Sequence, residues 1–224
     1  MPTKKPAGLV VLISGLGRNL QAIITAQQEQ RLNTDILAVI SNRKNAPGLE
    51  FARNAGIPTR VLRPLKGSDR EAYDSRLVSI INEYEPDIVA LAGFMRILSS
   101  GFVQQFSGKL VNIHPSLLPK YRGLDTHRRA LAAGDPRHGA SVHFVTADLD
   151  AGPSLLQGSI EVATSDTAES LASTVMQQVE TRIYPQALEW IASGRAQMQG
   201  GQIEFDGHVL EAPIHEDCSK KPAE

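Results

Sequence analysis

Short apolar runs alternate along this chain with stretches of helical period. Gly8 to Ser14 is an apolar run of strand length, broken by Gly15-Leu16-Gly17-Arg18, and Leu20, Ile23, Ile24 and Gln27 then follow a helical spacing from Asn19 to Gln30. Ile36 to Ser41 predicts a second buried strand. Pro47 to Ala55 predicts a helix with proline in its first turn and Gly56 just past its end, and Thr59 to Leu62 a short strand. Ser68-Asp69-Arg70-Glu71 has capping-box spacing and opens a helix to about Tyr84. Asp87 to Ala92, Leu110 to His114 and Ser141 to Val145 predict strands, with helices at Leu98 to Phe106 and Thr126 to Ala133. Leu155 to Val162 alternates as a half-exposed strand would. Asp166-Thr167-Ala168-Glu169 is a second box, opening a long helix that Pro185 should kink or interrupt. Asp206-Gly207 marks a hairpin turn within Gln202 to Val209.

Strands alternating with helices imply an α/β fold with a mostly parallel central sheet and helices on both faces. No linker forces a cut, so residues 1–210 read as one domain and the polar segment 211–224 as a flexible tail. In such sheets ligands bind beyond the carboxyl ends of the strands. The Gly15–Asn19 loop, the Gly93–Leu98 loop and Asn112–His114 all follow predicted strands, so they are expected to share one edge and one cleft.

Composition narrows the classes. At 42% hydrophobic residues the chain can bury a core, and a formal net charge of −1 gives no bulk attraction to nucleic acid or membrane. A single cysteine, Cys218, rules out an intrachain disulfide and a thiolate metal site; it has no visible activator and reads as inert. No stretch approaches the roughly 18 apolar residues of a membrane span, and the short polar N-terminus is not a signal peptide. A cytoplasmic protein is expected.

The chemistry concentrates in Asn112-Ile113-His114-Pro115-Ser116-Leu117-Leu118-Pro119. In a strand, the two-residue spacing points Asn112 and His114 to one face, and the prolines favour an extended exit. A carboxylate candidate, Asp150, follows in a turn bounded by Gly152 and Pro153, where Asp148 competes with it and either aspartate has a simpler use as a turn residue. Amide, imidazole and carboxylate are what a site needs to hold an oxyanion and move a proton in acyl transfer. Ser116 lacks a nucleophile elbow and reads as a turn residue. His127, His138 and His143 show no metal-ligand spacing, so no metal is expected. Gly15-Leu16-Gly17-Arg18-Asn19-Leu20 lets backbone N–H groups approach an anion at a helix N-terminus. It lacks the third glycine of a dinucleotide fingerprint, and Ser41-Asn42-Arg43 offers no acidic residue for a ribose, so a phosphate monoester fits better than a nicotinamide cofactor. Asn19 also has a simpler alternative use, as a helix cap.

Val11 to Gly15, Asn19 to Ile23, Ala92 to Leu98, Asn112 to Tyr121, His138 to Asp150 and Glu180 to Pro185 together resemble the phosphoribosylglycinamide formyltransferases of purine biosynthesis, over about Leu9 to Gly207. The resemblance implies a Rossmann-like formyltransferase fold, with a ribonucleotide side in the first half and a folate and catalytic side in the second. It implies 10-formyltetrahydrofolate as co-substrate and glycinamide ribonucleotide as acceptor, without metal. Gly17, Arg18, Asn19 and Glu180 would hold the ribonucleotide. Arg70, Met95, Arg96, Ile97, Leu98, Asn112, Thr146, Ala147, Asp148, Leu149 and Asp150 would form the folate side. Asn112, His114 and Asp150 would be the catalytic trio, with Asn112 and His114 donating to the oxyanion, Asp150 favouring the cationic form of His114, and Asp150 carrying the proton with a water. Leu16, Arg18 and Asp125 depart from the family pattern. The partners implied are small molecules, not nucleic acid or membrane, for a monomer or homodimer.

Other functions share parts of this pattern. A methionyl-tRNA formyltransferase would carry an additional C-terminal tRNA-binding domain, and a formyltetrahydrofolate hydrolase would direct the same trio at water. A nicotinamide-dependent oxidoreductase or a catalytically silent binder could use the same sheet.

Overall fold

The computed structural model describes residues 5–67 and 69–219. Strands β1 (Ala7–Ile13), β2 (Thr34–Ser41), β3 (Thr59–Val61), β4 (Ile88–Leu91) and β5 (Leu110–His114) lie parallel in the order β3-β2-β1-β4-β5. The sheet continues antiparallel through β6 (Arg137–Phe144) and β7 (Ser154–Glu161). The alternation in β1 explains the two-sided cover. Leu9, Val11 and Ile13 enter one apolar cluster with Leu20 and Ile23 of α1 (Arg18–Gln28), Leu49 of α2 (Gly48–Asn54) and the C-terminal helices. Val10 and Leu12 enter the opposite cluster with Tyr73, Leu77 and Ile81 of α3 (Arg70–Asn82) and Phe102 of α4 (Ser100–Gln105). A fully buried strand has no polar face to present, which is why these runs are continuously apolar.

Several expectations are corrected. Strand β7 is buried over Leu155–Ile160 rather than half exposed, because a further strand, β11 (Ile214–Asp217), pairs parallel with its outer edge and the C-terminal helices cover it. The segment expected as a loose tail from 211 therefore supplies an ordered sheet edge. Arg137 pairs with Asp217 at 2.6 Å, Arg182 pairs with Glu216, and the Cys218 N–H donates to the Ser159 carbonyl at 2.8 Å. Burial pushes the Cys218 thiol up to about 11, in keeping with an inert cysteine. Ser68 lies outside the described residues; Asp69 caps α3, accepting from the Ala72 N–H at 2.7 Å. The second box closes between Thr167 and Ser170, not Glu169.

The long C-terminal helix is three segments: α6 (Ala168–Thr174), a π-helical segment (Val175–Glu180) and α7 (Thr181–Ala192). The irregularity lies before Pro185, which sits inside α7 without ending it. A widened turn just upstream re-spaces the hydrogen-bond ladder where proline cannot donate. β8 (Ala196–Gln199), not foreseen, joins β9 (Gln202–Phe205) and β10 (His208–Val209) in a small antiparallel sheet. The expected Asp206-Gly207 turn is there, with both residues at positive φ, 50° and 81°.

One α7 side chain ties the helix layer to the strands beneath the cleft. The buried Tyr184 hydroxyl lies 3.0 Å from the Leu91 carbonyl and 3.1 Å from that of Val111, so its proton is shared between β4 and β5. Tyr184→Phe should lower unfolding free energy by about 1–3 kcal/mol, measured by denaturant titration, because two buried carbonyls lose a donor.

Candidate active site

The chain order reverses between β1 and β4, so the crevice at their carboxyl ends is the topological switch point. The three loops expected to share an edge do so. The Ser14 N–H donates to the Gly93 carbonyl at 3.2 Å, and the Met95 N–H donates to Ser14 Oγ at 2.8 Å, joining the β1 and β4 loops. Leu91 pairs with Asn112, which sets β5 beside them.

Asn112 and His114 occupy one face of β5, and β6 presents His143 directly opposite Asn112. Asp150 arrives on the loop leaving β6. Its Oδ2 lies 3.4 Å from His114 Nδ1 and accepts from the Gly123 N–H at 3.0 Å, while its Oδ1 lies 3.9 Å from His143 Nε2. The His114 and Asp150 side chains are 7% and 11% exposed, so solvent screens their attraction little. The structure thus brings the expected catalytic trio together and adds a second imidazole.

Ring protonation follows from the partners. His114 Nε2 lies 2.9 Å from the Tyr121 carbonyl, which only accepts, so Nε2 carries a proton. Nδ1 therefore faces the carboxylate. Both ring nitrogens of His114 thus face a protein partner, at 2.9 and 3.4 Å. The 3.4 Å contact is longer than a charge-assisted hydrogen bond, so Nδ1 is the looser of the two and the one a substrate atom or water can share.

The connection after β5 encloses this cluster. Ser141 Oγ donates to the Ser116 carbonyl and accepts from the Leu118 N–H, and Gln157 donates to the Leu118 carbonyl at 2.7 Å. The Leu118–Pro119 peptide is cis. Ser116 Oγ donates to the Lys120 carbonyl, which is the turn role read for it. Tyr121 and Gly123 then adopt left-handed φ and present a carbonyl to His114 and an N–H to Asp150. Asp125 precedes α5 (Thr126–Ala132) at φ 59° and pairs with Arg128.

On the β1 side, Gly17 caps α1 with φ 76°, and a Cβ there would lie 2.5 Å from Gly48 Cα. Glycine is needed for this loop-to-loop approach as well as for the turn. Asn19 is not the helix cap. Its Nδ2 donates to Glu180 Oε2 at 2.7 Å, joining two residues 161 apart that were both expected on the ribonucleotide side. Both are buried, and Asn19 Oδ1 is left without a partner among the described residues. Burial raises the Glu180 carboxyl above the usual range, with the Asn19 hydrogen bond opposing. Arg18 is exposed and lines an open concavity of about 450 Å³ with Gln21, Gln177 and Thr181.

Apart from Asn112 on β5, the expected folate residues divide between two loops and a helix start. Met95, Ile97 and Leu149 are exposed apolar side chains, 66%, 57% and 54% accessible, on the loops after β4 and β6. Arg96 stacks on the Tyr73 ring at 3.9 Å, and Tyr73 donates to the Leu62 carbonyl, tying that loop to α3. Leu98 is half-buried, as are Thr146 and Asp150, while Ala147 and Asp148 are exposed. Arg70 is the exposed first residue of α3.

Residues 7–188 match the formyl transferase family model. The chain is 50% identical over 202 residues to the phosphoribosylglycinamide formyltransferase of Escherichia coli, covering 90% of this chain and 95% of that protein. It is 45% identical to the human trifunctional purine biosynthetic protein adenosine-3 over 89% of this chain and 20% of that protein. This chain belongs to the formyl transferase family, among the phosphoribosylglycinamide formyltransferases. A solved phosphoribosylglycinamide formyltransferase from Coxiella burnetii superposes with a TM-score of 0.88 at 48% identity, covering 93% of this chain and 99% of that one. The Rossmann-like formyltransferase fold expected from the resemblance is the one observed.

Residue-level reading misses the backbone partners at Tyr121 and Gly123, because their roles reside in conformation and not in side-chain type. It also leaves His143 as one residue of a predicted strand, with no metal-ligand spacing. His127 and His138 serve neither the trio nor a helical ligand pattern; they pair with each other, Nδ1 to Nε2, at 3.1 Å. Burial and the neighbouring His127 push His138 down from its ordinary 6.5 to about 4. A histidine kept neutral in the fold contributes stability above its unfolded pKa and loses it as pH falls through the folded value. The melting temperature should therefore fall as pH drops from about 6.5 towards 4. His138→Gln should flatten that dependence, read by thermal unfolding across the range.

Proposed function

We propose that this chain transfers the formyl group of 10-formyltetrahydrofolate to the amine of glycinamide ribonucleotide, giving formylglycinamide ribonucleotide and tetrahydrofolate. One observation carries the reading: the Asn112–His114–Asp150 cluster sits at the switch-point crevice, and the helix that follows β1 carries Asn19 in its first turn, bonded to the buried Glu180 at the end of the π-helical segment.

The substrate phosphate binds the N-terminus of α1, where Gly17, Arg18 and Asn19 offer backbone N–H groups and a guanidinium. Glu180 accepts from substrate hydroxyls. Exposed Met95, Ile97 and Leu149 cover the apolar faces of the folate, with Arg70, Arg96, Leu98 and the Thr146–Asp150 backbone around it. The amine lone pair attacks the formyl carbon and the carbonyl electrons move to oxygen. Asn112 Nδ2 donates to that oxyanion, and His114 Nδ1–H shares its proton between the oxyanion and Asp150. The attacking nitrogen then loses a proton to Asp150, directly or through a water. The same proton reaches the folate nitrogen as its bond to carbon breaks. No step requires a metal, and the reaction suits a cytoplasmic enzyme, monomeric or dimeric.

An absorbance assay with both substrates tests this. Formyl loss from the folate should occur only when the ribonucleotide is present. Loss with water alone would indicate a hydrolase, formylation of charged tRNA the rival transferase, nicotinamide oxidation a redox enzyme, and binding without turnover an inert protein.

A further inference from the structure

We propose that His143 is a positioning residue for formyl transfer: as a neutral imidazole protonated on Nδ1, it fixes the amide of Asn112 so that Asn112 faces the reacting carbon with an N–H. The inference deepens the function proposed above and rests on it.

His143 Nδ1 lies 3.0 Å from the Phe144 carbonyl oxygen, and Nε2 lies 3.2 Å from Asn112 Nδ2. A carbonyl only accepts, so Nδ1 carries the proton. A neutral ring then has a lone pair at Nε2, and the Asn112 amide must turn its NH₂ group towards it. One N–H of that group is used, and the second remains for a substrate oxygen. Asn112 is also the one residue of β5 that is not buried. The opposite orientation would set the Asn112 carbonyl against a lone pair, two acceptors in contact. A protonated His143 would reverse this choice, because Nε2–H would recruit Oδ1 and swing the NH₂ group away.

The surroundings hold the neutral form. His143 is 2% exposed, and burial pushes its pKa down. Two titratable groups face it: Asp150, whose Oδ1 at 3.9 Å favours the cation, and His114, which opposes it. Cross-strand register fixes the pairing, since Asn112 and His143 are directly opposed in β5 and β6. An asparagine side chain alone rotates freely between its two orientations, so a fixed acceptor pre-orients the donor before substrate arrives.

The test compares His143→Phe, which keeps ring bulk without an acceptor, with His143→Gln, which restores one near the Nε2 position. His143→Phe should lower kcat by about 10- to 100-fold, with both KM values held within about threefold. His143→Gln should recover most of the loss. Unchanged kcat in the Phe variant, or equal loss in both, overturns the proposal. In an Asn112→Ala background, His143→Phe should add no further loss, and multiplying losses would overturn it. Nitrogen-15 imidazole spectra of the wild-type enzyme at neutral pH keep the question open to refutation even where a variant fails to fold. A neutral Nδ1–H tautomer is expected, and a cation or an Nε2–H tautomer refutes the proposal. Asn112→Ala with wild-type turnover would instead sink the function assigned to Asn112, whatever His143 does.

Discussion

Asp150→Asn should bind both substrates with nearly wild-type affinity and lose about 10²- to 10⁴-fold in kcat, the range over which a positioned acid or base contributes. The substitution is close to isosteric, so its effect isolates charge from shape. Asp150 sits at φ 47°, a left-handed conformation that asparagine adopts more readily than alanine. The amide oxygen introduced by the substitution can still accept the Gly123 N–H that holds the loop. What disappears is the carboxylate that faces His114 Nδ1 and takes the proton from the attacking amine. Steady-state kinetics with each substrate varied, beside equilibrium binding of folate, separates the two effects. A variant turning over at the wild-type rate would remove Asp150 from the mechanism. A variant whose KM values rise while kcat stays would make it a binding residue only.

How much of this is legible in the chain depends on the range of the interaction. Strands β1, β2, β4 and β5 are readable because a strand buried on both faces needs a continuous apolar run, a property of neighbouring residues. Asn112 and His114 are readable as a pair because strand geometry alone puts residues two apart on one face. Asp150 requires the family resemblance, since nothing local distinguishes it from Asp148 in the same turn. His143 has no local signal for its role. Its position opposite Asn112 depends on the register with which the chain returns antiparallel after residues 115–136. Strand β11 escapes a local reading for a related reason. Ile214-His215-Glu216-Asp217 is polar enough to look loose, yet an edge strand needs only backbone pairing on one side, and Arg137 and Arg182 neutralise its carboxylates. The π-helical turn before Pro185 likewise shows that a proline penalty can be met one turn upstream of the residue that causes it.

The loop that delivers Asp150 turns on a residue with no functional group. A Cβ on Gly152 would lie 1.8 Å from the Phe144 carbonyl oxygen and 3.2 Å from Thr146 Cγ2. Gly152 does not have a positive φ, so alanine there would suffer no backbone strain, only collision. The colliding atom is backbone, which cannot swing aside as a side chain would. It is also the oxygen that accepts from His143 Nδ1, beside the Phe144 N–H that donates to the Pro153 carbonyl at 3.0 Å. Relieving the clash therefore means moving the end of β6 away from the loop, which separates Asp150 from His114 and disturbs His143 together. Gly152→Ala should cost about 1–3 kcal/mol in stability, the usual scale of overpacking. Its kcat should fall about 100-fold or more, because displacements near 1 Å suffice for losses of that size. Asp150→Asn should by contrast retain near-normal stability while losing turnover. Thermal unfolding and kinetics on the two variants distinguish them. A Gly152→Ala enzyme with unchanged melting temperature and turnover would mean that the loop closes onto β6 less tightly than the 1.8 Å approach implies.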